Sequence, residues 1–420
     1  MNPKPFSHYT QWILEWKLAG ASLLCASIFS AAMAKAESQA SVSIKQIGEA
    51  PTSGGLVTAV VYEKNGRHFL YTGGEKSELE SFTVGDDGTL NPLKSYALWN
   101  NKGPARGLVT VTLDGTDYLY AGNKFGNAIE VYRIDEDGML DRIHLIEDTD
   151  QTHLGVVITL QVVEMKSATY LLAGGLEKTP GLSCFRVNKD GSLTHVQSMK
   201  DTEEIYTDGI IGMVLHRIAG KTYVVTGGFQ DSGVSSFCID EDGRFENVSN
   251  VGDDLELFLN GTYPVDGVTL GDQAYVLVGH RHHNYYKRGG FIKNPDFVYH
   301  GDGVTVLKMD QTGSLTVHHV LKNTPELRLR GQTRLAVRKL SEEQALVVVG
   351  TREDQSLQAC LLGQDGRLVP LGHSPTGFEI YNGMTSAEIA GRFYVFAGPV
   401  PGLGSGVRSF RIDLPHAPSP

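Results

Sequence analysis

Two patterns of apolar and turn-forming residues recur along most of the chain. One is an apolar run that ends in glycine, as in YLYAG and YVVTG; the other is a turn followed by an apolar residue, as in EDGML and KDGSL. Apolar runs rich in Val and Tyr between such turns are typical of β-strands. The runs end at Gly73, Gly122, Gly174, Gly227, Gly279, Gly350 and Gly398, and the turns contain Gly88, Gly138, Gly191, Gly243, Gly313 and Gly366.

These patterns repeat with a period that predicts the fold. Successive runs end 48 to 53 residues apart, except for one interval of 71 residues. A mostly β repeat of about 50 residues is typical of propeller blades with four strands each. In the second unit the strands are expected at residues 107–113, 118–121, 128–135 and 140–147. The Asp-Gly turns join the last two strands of a unit as hairpins, in which glycine adopts a positive φ angle. Calcium binding by these acidic turns is a weaker hypothesis, because the hairpin accounts for them fully.

The seventh unit is short, and an N-terminal segment has the pattern of its missing strand. The turn expected about 16 residues after Gly398 would fall at Leu414, which leaves no room for a fourth strand. Residues 41–47, SVSIKQI, resemble a fourth strand. Pairing them with the three C-terminal strands would close the ring and remove exposed sheet edges. We therefore expect an all-β, seven-bladed β-propeller of four-stranded blades, closed by an N-terminal strand.

Residues 1–36 have the layout of a secretory signal peptide. Basic residues precede an uncharged stretch over residues 18–34, and Ala34-Lys35-Ala36 offers a small-x-small cleavage site. We expect cleavage before Glu37 and a secreted or periplasmic protein. The competing interpretation is an uncleaved anchor helix, for which a stretch of this length is marginal. Residues 37–420 would then form one propeller domain with no further membrane span.

Composition excludes other classes of protein. Four cysteines in 420 residues argue against a disulfide scaffold, and Cys184, Cys238 and Cys360 are expected to be buried thiols in apolar strands. The chain has 37 Lys and Arg against 48 Asp and Glu, a formal net charge of −11. Loss of residues 1–36 removes three lysines and one glutamate and leaves −13. Such an acidic chain is not expected to bind nucleic acid.

The repeat motifs resemble those of a known family. The segment YLYAGNKFGNAIEVYRIDEDGML, residues 118–140, is similar to repeats of the seven-bladed propeller lactonases typified by 6-phosphogluconolactonase, and resembles even more closely bacterial secreted propeller proteins. The resemblance covers residues 37–420 as a repeat pattern. It implies the propeller fold, together with either hydrolysis of a sugar lactone or a non-catalytic role.

The chain also departs from those lactonases. It has DGTDY, AGKTY and AGRFY where they carry Ser-Pro-Asp or His-Pro turns before the second strand. Gly103-Pro104-Ala105-Arg106 resembles the Gly-Pro-Arg-His start of a first strand in that family but lacks the histidine. The resemblance therefore assigns no catalytic residue here.

The fifth unit carries an insert in its connection between the second and third strands. The two repeated glycines are 15 to 17 residues apart in five units and 34 residues apart in the fifth, and the excess lies within residues 280–302. Enlarged surface loops are often functional, and cations beside aromatic rings suit an anionic or sugar-like ligand. A lid whose aromatic side chains pack on the next blade is the other interpretation. The expected ligand-binding residues of the insert are His280, His282, His283, Tyr285, Tyr286, Lys287, Arg288 and His300.

The starts of the seven first strands share the insert's face and ring the central channel. Arg106 and Arg330 are expected there, where they would hold a carboxylate or phosphate group. His153 and Asp208 are the candidate catalytic residues, as general bases towards a lactone carbonyl or its water.

The expected function is binding of a small anionic or sugar-derived ligand on this face, with lactone hydrolysis as the activity that the resemblance implies. The alternative is a non-catalytic scaffold for a protein or glycan partner. An enzyme should have polar groups converging in a pocket, whereas a scaffold should expose a broad aromatic surface. No cofactor is expected. A metal site is a weaker hypothesis because zinc needs three or four ligands, and the candidates are His280, His282 and Asp302.

Overall fold

The predicted seven-bladed propeller is confirmed. The computed structural model describes residues 42–99, 102–176, 179–254, 257–281 and 302–414. These residues form seven four-stranded antiparallel sheets in a ring that comprises Ser43–Asp413. Within this described part of the chain, no helix has the length and apolar character needed to cross a membrane.

Each of the first six blades is a run of four consecutive strands. Blades one and two contain β2 (Leu56–Lys64), β3 (Arg67–Gly74), β4 (Glu78–Val84), β5 (Leu90–Ala97), β6 (Ala105–Leu113), β7 (Thr116–Asn123), β8 (Ala128–Ile134) and β9 (Leu140–Glu147). Blades three and four contain β10 (Thr159–Glu164), β11 (Thr169–Gly175), β12 (Gly181–Val187), β13 (Leu193–Lys200), β14 (Ile210–Ile218), β15 (Lys221–Gly228), β16 (Gly233–Ile239) and β17 (Phe245–Gly252). Blades five and six contain β18 (Thr262–Leu270), β19 (Gln273–His280), β20 (Gly303–Met309), β21 (Leu315–Lys322), β22 (Gln332–Lys339), β23 (Gln344–Thr351), β24 (Ser356–Gly363) and β25 (Leu368–Pro375).

Blade seven closes the ring with strands from both ends of the described chain. It contains β26 (Ile380–Ile389), β27 (Arg392–Pro399), β28 (Val407–Asp413) and β1 (Ser43–Ala50). The pairing of β1 with β28 runs from Ser43 opposite Asp413 to Ala50 opposite Val407. The strand extends three residues beyond the predicted 41–47 because β28 still offers backbone partners there.

Burial follows from the packing of blade on blade. In β15 every residue after the first is buried, whereas in the fourth strand β17 burial alternates with exposure. Second strands are covered on both faces, which explains why their apolar residues do not alternate with polar ones. Cys184 and Cys360 are buried as expected, but Cys238 in β16 is only half-buried.

One contact between adjacent blades joins both repeated sequence patterns. In blade three the hydroxyl of Tyr170 donates a hydrogen bond to the carbonyl oxygen of Glu241, at 2.9 Å, in the turn of blade four. The tyrosine ring lies directly against Gly243 of that turn. The turn therefore needs glycine for two reasons, a φ of +77° and the space that the ring occupies.

The same contact recurs around the ring. The other tyrosines in this position are Tyr118, Tyr223, Tyr275 and Tyr394, which donate to the carbonyls of Lys189, Gln311, Gln364 and Asp86. Phe69 takes the position in blade one and packs on Gly138 without the hydrogen bond. In blade six, Leu346 occupies the position of the tyrosine and faces blade seven. The fourth strand of blade seven is β1, so no turn joins it to the third strand.

In blades one to six, a polar residue at the third position of the third strand holds the connection from the preceding blade. In blade three, Ser183 Oγ accepts the backbone N–H of His153 at 3.1 Å, and in blade four Ser235 Oγ accepts that of Tyr206 at 2.8 Å. Both carboxylate oxygens of the fully buried Glu130 accept the N–H of Trp99. These bonds hold the loops that lead into the first strands, and therefore position the residues at the channel mouth.

Candidate functional site at the mouth of the central channel

The first strands of the seven blades surround a central cavity of about 290 Å³. Six of these strands show an irregular register with their second strand near the start, for example between Arg106 and Leu108. Such irregularities redirect side chains at the start of a strand. At this irregularity, three blades carry a large polar side chain in the same position of the first strand. They are Arg106 in blade two, Tyr263 in blade five and Tyr381 in blade seven.

These three residues and Arg281 form one group, here named the mouth cluster. A terminal nitrogen of Arg106 donates to the hydroxyl of Tyr381 at 3.3 Å, and its guanidinium lies 4.8 Å from the centre of that ring. The guanidinium of Arg281 lies 5.1 Å from the ring of Tyr381 and 5.5 Å from that of Tyr263. Both arginines thus stack on aromatic faces, where cation–π attraction stabilises them.

The mouth cluster has an excess of positive charge. Within the described residues, no carboxylate oxygen lies within 4.0 Å of either guanidinium, although Glu353 attracts Arg281 at longer range. The Nε atoms of Arg106 and Arg281 are buried and have no hydrogen-bond acceptor. Buried charges in proteins are normally paired, so this arrangement is unusual.

The two tyrosines differ in acidity. Burial alone would raise the pKa of Tyr381, but the charges of Arg106 and Arg281 and the nearby hydroxyl of Tyr263 lower it to about 7. Burial is the main cause that raises the pKa of Tyr263, and the neighbouring Tyr381 raises it further. Tyr381 is therefore the internal anion that partly balances the two arginines near neutral pH.

An apolar wall borders the cluster on the side of blades three and four. Ile158, Ile211 and Phe229 pack with Tyr263, and the rings of Phe229 and Tyr263 meet edge to face at 5.2 Å. This wall keeps water away from one side of the cluster. Electrostatic attraction to the arginines is stronger there than in bulk water because the local dielectric constant is lower.

Of the predicted binding residues, Arg106 lies in the mouth cluster and Arg330 pairs with Asp354. The Nε of Arg330 donates to Asp354 at 2.7 Å, and the Arg330 side chain is 54% exposed. The predicted base His153 lies half-buried in the connection into blade three, and burial lowers the pKa of its imidazole. Asp208 is buried at the start of blade four, where its backbone N–H donates to Asp231 at 2.6 Å.

The ends of the insert bring together two of the predicted metal ligands. His280 Nε2 lies 3.7 Å from Asp302 Oδ1, and both side chains are buried. His280 Nδ1 also lies 3.3 Å from the carbonyl oxygen of Asn260. The remaining predicted residues of the insert lie outside the described residues: His282, His283, Tyr285, Tyr286, Lys287, Arg288 and His300.

One further group of described residues has the spacing of a metal site. The carboxylate oxygens of Asp201, Asp208 and Asp231 lie within 4.8 Å of one another. However, Asp201 accepts the N–H and O–H of Thr207, and Asp231 accepts the N–H of Asp208. These bonds fold the loop into blade four and account for the positions of Asp201 and Asp231.

Reasoning from the sequence did not single out Tyr263, Tyr381 or Arg281 as site residues. The signal that finds the two tyrosines is positional. Each tyrosine directly follows the residue of the first strand that pairs with the residue after the repeated glycine. Thus Thr262 pairs with His280, and Ile380 pairs with Pro399. Counted back from that glycine, Tyr263 and Arg106 both stand 16 residues away and Tyr381 stands 17 residues away. An alignment of the units with a gap of one residue therefore places both tyrosines at the position of Arg106.

No protein-family model and no curated protein matches the chain. Several solved structures share its fold. A Bacteroides fragilis protein named a "putative 6-phosphogluconolactonase" is 19% identical with a TM-score of 0.55, over 76% of this chain and 86% of its own. A Lactobacillus plantarum protein is 13% identical with a TM-score of 0.53, over 76% and 85% of the two chains. The Dos1 propeller is 11% identical with a TM-score of 0.52, over 82% and 75%. At these identities the likeness shows the fold, and this chain is a seven-bladed β-propeller.

Proposed function

We propose that the protein binds a small anion at the mouth cluster. The observation that carries the proposal is the pair of buried arginines, Arg106 and Arg281, which share the ring of Tyr381 and have no carboxylate within 4.0 Å among the described residues. A carboxylate or phosphate group from a ligand would supply the missing negative charge. Arginine suits this role because its planar, forked donors match both groups.

The energetics favour an anion over a neutral ligand. A hydrogen bond to a charged group contributes about 1.5–3 kcal/mol, and a buried charge without a partner is strongly unfavourable. The tyrosine rings hold both guanidinium groups in place before a ligand arrives, which reduces the entropy lost on binding. The two arginines come from blade two and from the connection after β19, so the folded ring positions them.

Lactone hydrolysis is a narrower proposal at the same site. It is supported by likeness in fold to the B. fragilis protein named a 6-phosphogluconolactonase. Water would attack the lactone carbonyl, and an arginine would stabilise the negative charge that develops on the carbonyl oxygen. Among the predicted bases, His153 has a pKa lowered by burial and is therefore neutral and able to accept a proton at pH 7.

The test is titration calorimetry with sulfate, citrate and 6-phosphogluconate. The wild type should bind at least one of these anions, and Arg106→Gln and Arg281→Gln should each weaken binding by about tenfold or more, the loss expected for one charged hydrogen bond. Arg338→Gln is the matched control, because Arg338 pairs with Glu388 away from the mouth. Equal affinity in all four proteins, or no binding of any anion, would contradict the proposal. A parallel assay of lactone opening tests the narrower activity.

A scaffold function would show itself differently. Such a protein should bind a protein or glycan through exposed aromatic residues. Among the described residues, Trp99 and Phe125 are the tryptophan and phenylalanine side chains that stand exposed, at 45% and 53%. Replacing both with alanine should leave anion binding unchanged if the mouth cluster is the functional site.

Export is a separate part of the proposal and rests on the sequence of residues 1–36. Mass spectrometry of the protein from its native source should find an N-terminus at or near Glu37. An intact Met1 in a membrane fraction would contradict cleavage and favour the anchor helix.

A further inference from the structure

The central cavity beneath the mouth cluster contains an acidic and a basic side chain that do not pair. Asp266 lies on β18 and Arg334 on β22, in neighbouring blades, and both line the cavity. Neither makes an ion pair with the other within 4.0 Å, although each feels the other's charge. The polar side chains of Thr58, Gln161 and Ser386 also line the cavity.

Both charged groups are held in place by the backbone. One oxygen of Asp266 accepts the N–H of Gly267 at 2.8 Å, which leaves further acceptor positions on the carboxylate. The Nε of Arg334 donates to the carbonyl of Asn382 at 2.9 Å, which leaves its terminal nitrogens for another partner. Each side chain is therefore fixed at one edge while its charged end remains available to the cavity.

We infer that this cavity is a binding site for a small zwitterion of the α-amino acid type, with its ammonium group on Asp266 and its carboxylate on Arg334. A simple anion would pair with Arg334 but leave Asp266 without a cationic partner, and a simple cation would do the reverse. A ligand with both charges satisfies both groups at once. The cavity of about 290 Å³ is at the small end of ligand sites, which span about 300–1,000 Å³, and suits a molecule of this size.

Proton release provides a signature of this binding mode. Burial raises the pKa of Asp266 to about 7. The backbone N–H groups of Gly267 and Val337 and the charge of Arg334 act in the opposite direction but are outweighed. An ammonium group placed on the carboxylate would lower the pKa again. Binding near pH 7 should therefore release a fraction of a proton, and Asp266→Asn should abolish that release.

The experiment compares three probes that share one carbon skeleton: L-alanine, propionate and ethylamine. Titration calorimetry is run near pH 7 in two buffers of different ionisation enthalpy, with glycine, L-serine and L-glutamine as further zwitterions. L-Alanine or another of these amino acids should bind, and propionate and ethylamine should bind about tenfold or more weakly, the ratio expected from one lost charged hydrogen bond. Asp266→Asn and Arg334→Gln should each lower amino-acid affinity by a similar factor.

A control variant separates the cavity from general effects on the strand. Arg338→Gln changes the same strand outside the cavity and should bind amino acids as the wild type does. Melting temperatures confirm that each variant is folded. Propionate or ethylamine binding as tightly as L-alanine, unchanged affinity in both cavity variants, or no saturable binding of any amino acid would each overturn the inference and leave a cavity that holds water.

Discussion

Two glycines of blade four allow the stability contributed by the packing of Tyr170 on Gly243 to be measured separately from the cost of backbone strain. Gly220, between β14 and β15, and Gly243, between β16 and β17, both have a φ of +77°. A methyl group on Gly220 would meet no atom within 4 Å, whereas one on Gly243 would lie 2.4 Å from a ring carbon of Tyr170. Substitution by alanine therefore adds the same backbone strain at both positions but a steric clash only at Gly243.

The expected magnitudes follow from these two terms. Alanine in the left-handed region costs about 1–2 kcal/mol, and the more restricted unfolded chain returns about 0.4–1 kcal/mol of that. Gly220→Ala should therefore lower the free energy of unfolding by about 1 kcal/mol. Overpacking adds about 1–3 kcal/mol at Gly243, because Tyr170 is buried and its hydroxyl is bonded to Glu241. Gly243→Ala should lose about 2–4 kcal/mol in total.

The assay is chemical denaturation of both variants, followed by circular dichroism, in the wild type and in a Tyr170→Leu background. Leucine is a suitable replacement because Leu346 occupies the same position in blade six. The difference between the two glycine variants should shrink in the Tyr170→Leu background, since the ring that causes the clash is gone. Equal losses for Gly220→Ala and Gly243→Ala in the wild type would refute the role assigned to the ring.

Three further predictions concern the channel and the closure of the ring. Sulfate affinity should fall as pH rises through about 7, because ionised Tyr381 then competes with the anion for the arginines; in Tyr381→Phe, titrations should show no such step. Asp266→Asn should stabilise the fold above pH 7. The folded-state pKa of about 7 lies above the ordinary 3.8, so the wild type loses stability as pH rises from about 4 to 7 while the variant does not. This difference in pKa corresponds to a gain of at most about 4 kcal/mol, which melting curves at several pH values would detect. Deleting residues 43–50 should lower the melting temperature by many degrees by exposing the edge of β28; an unchanged melt would contradict closure by β1.

The fold could be predicted from the sequence because its repeated contacts require particular residues. The tyrosine at the start of an apolar run and the glycine of the following unit's turn are two sides of one contact, as in Tyr170 and Gly243. Such a contact leaves a mark in every unit where it forms. The strands predicted for unit two at 128–135 and 140–147 agree with β8 and β9 to within one residue. The closing strand followed from the same periodicity.

The candidate site could be predicted only in part because its members come from distant parts of the chain. Arg106 and Tyr381 are 275 residues apart in sequence and meet across the channel. Arg106 stood out as a charge at the start of a strand, but a tyrosine at such a position looks like any other strand residue. Its role depends on the register of its strand with the next one, and that register is irregular where the mouth cluster forms.

The residue type at the position of Arg106, Tyr263 and Tyr381 differs from blade to blade, whereas the tyrosine–glycine contact between blades recurs. The equivalent residue is Val57 in blade one, Ile158 in blade three and Ile211 in blade four, but arginine or tyrosine in the blades of the cluster. The repeated tyrosine–glycine contacts between blades lie on the second strand and the turn, away from this position. A propeller can therefore exchange its mouth residues without loss of those contacts. Structural likeness at 11–19% identity thus reports on the cores, and the proposed anion binding has to be tested at Arg106, Arg281 and Tyr381 themselves.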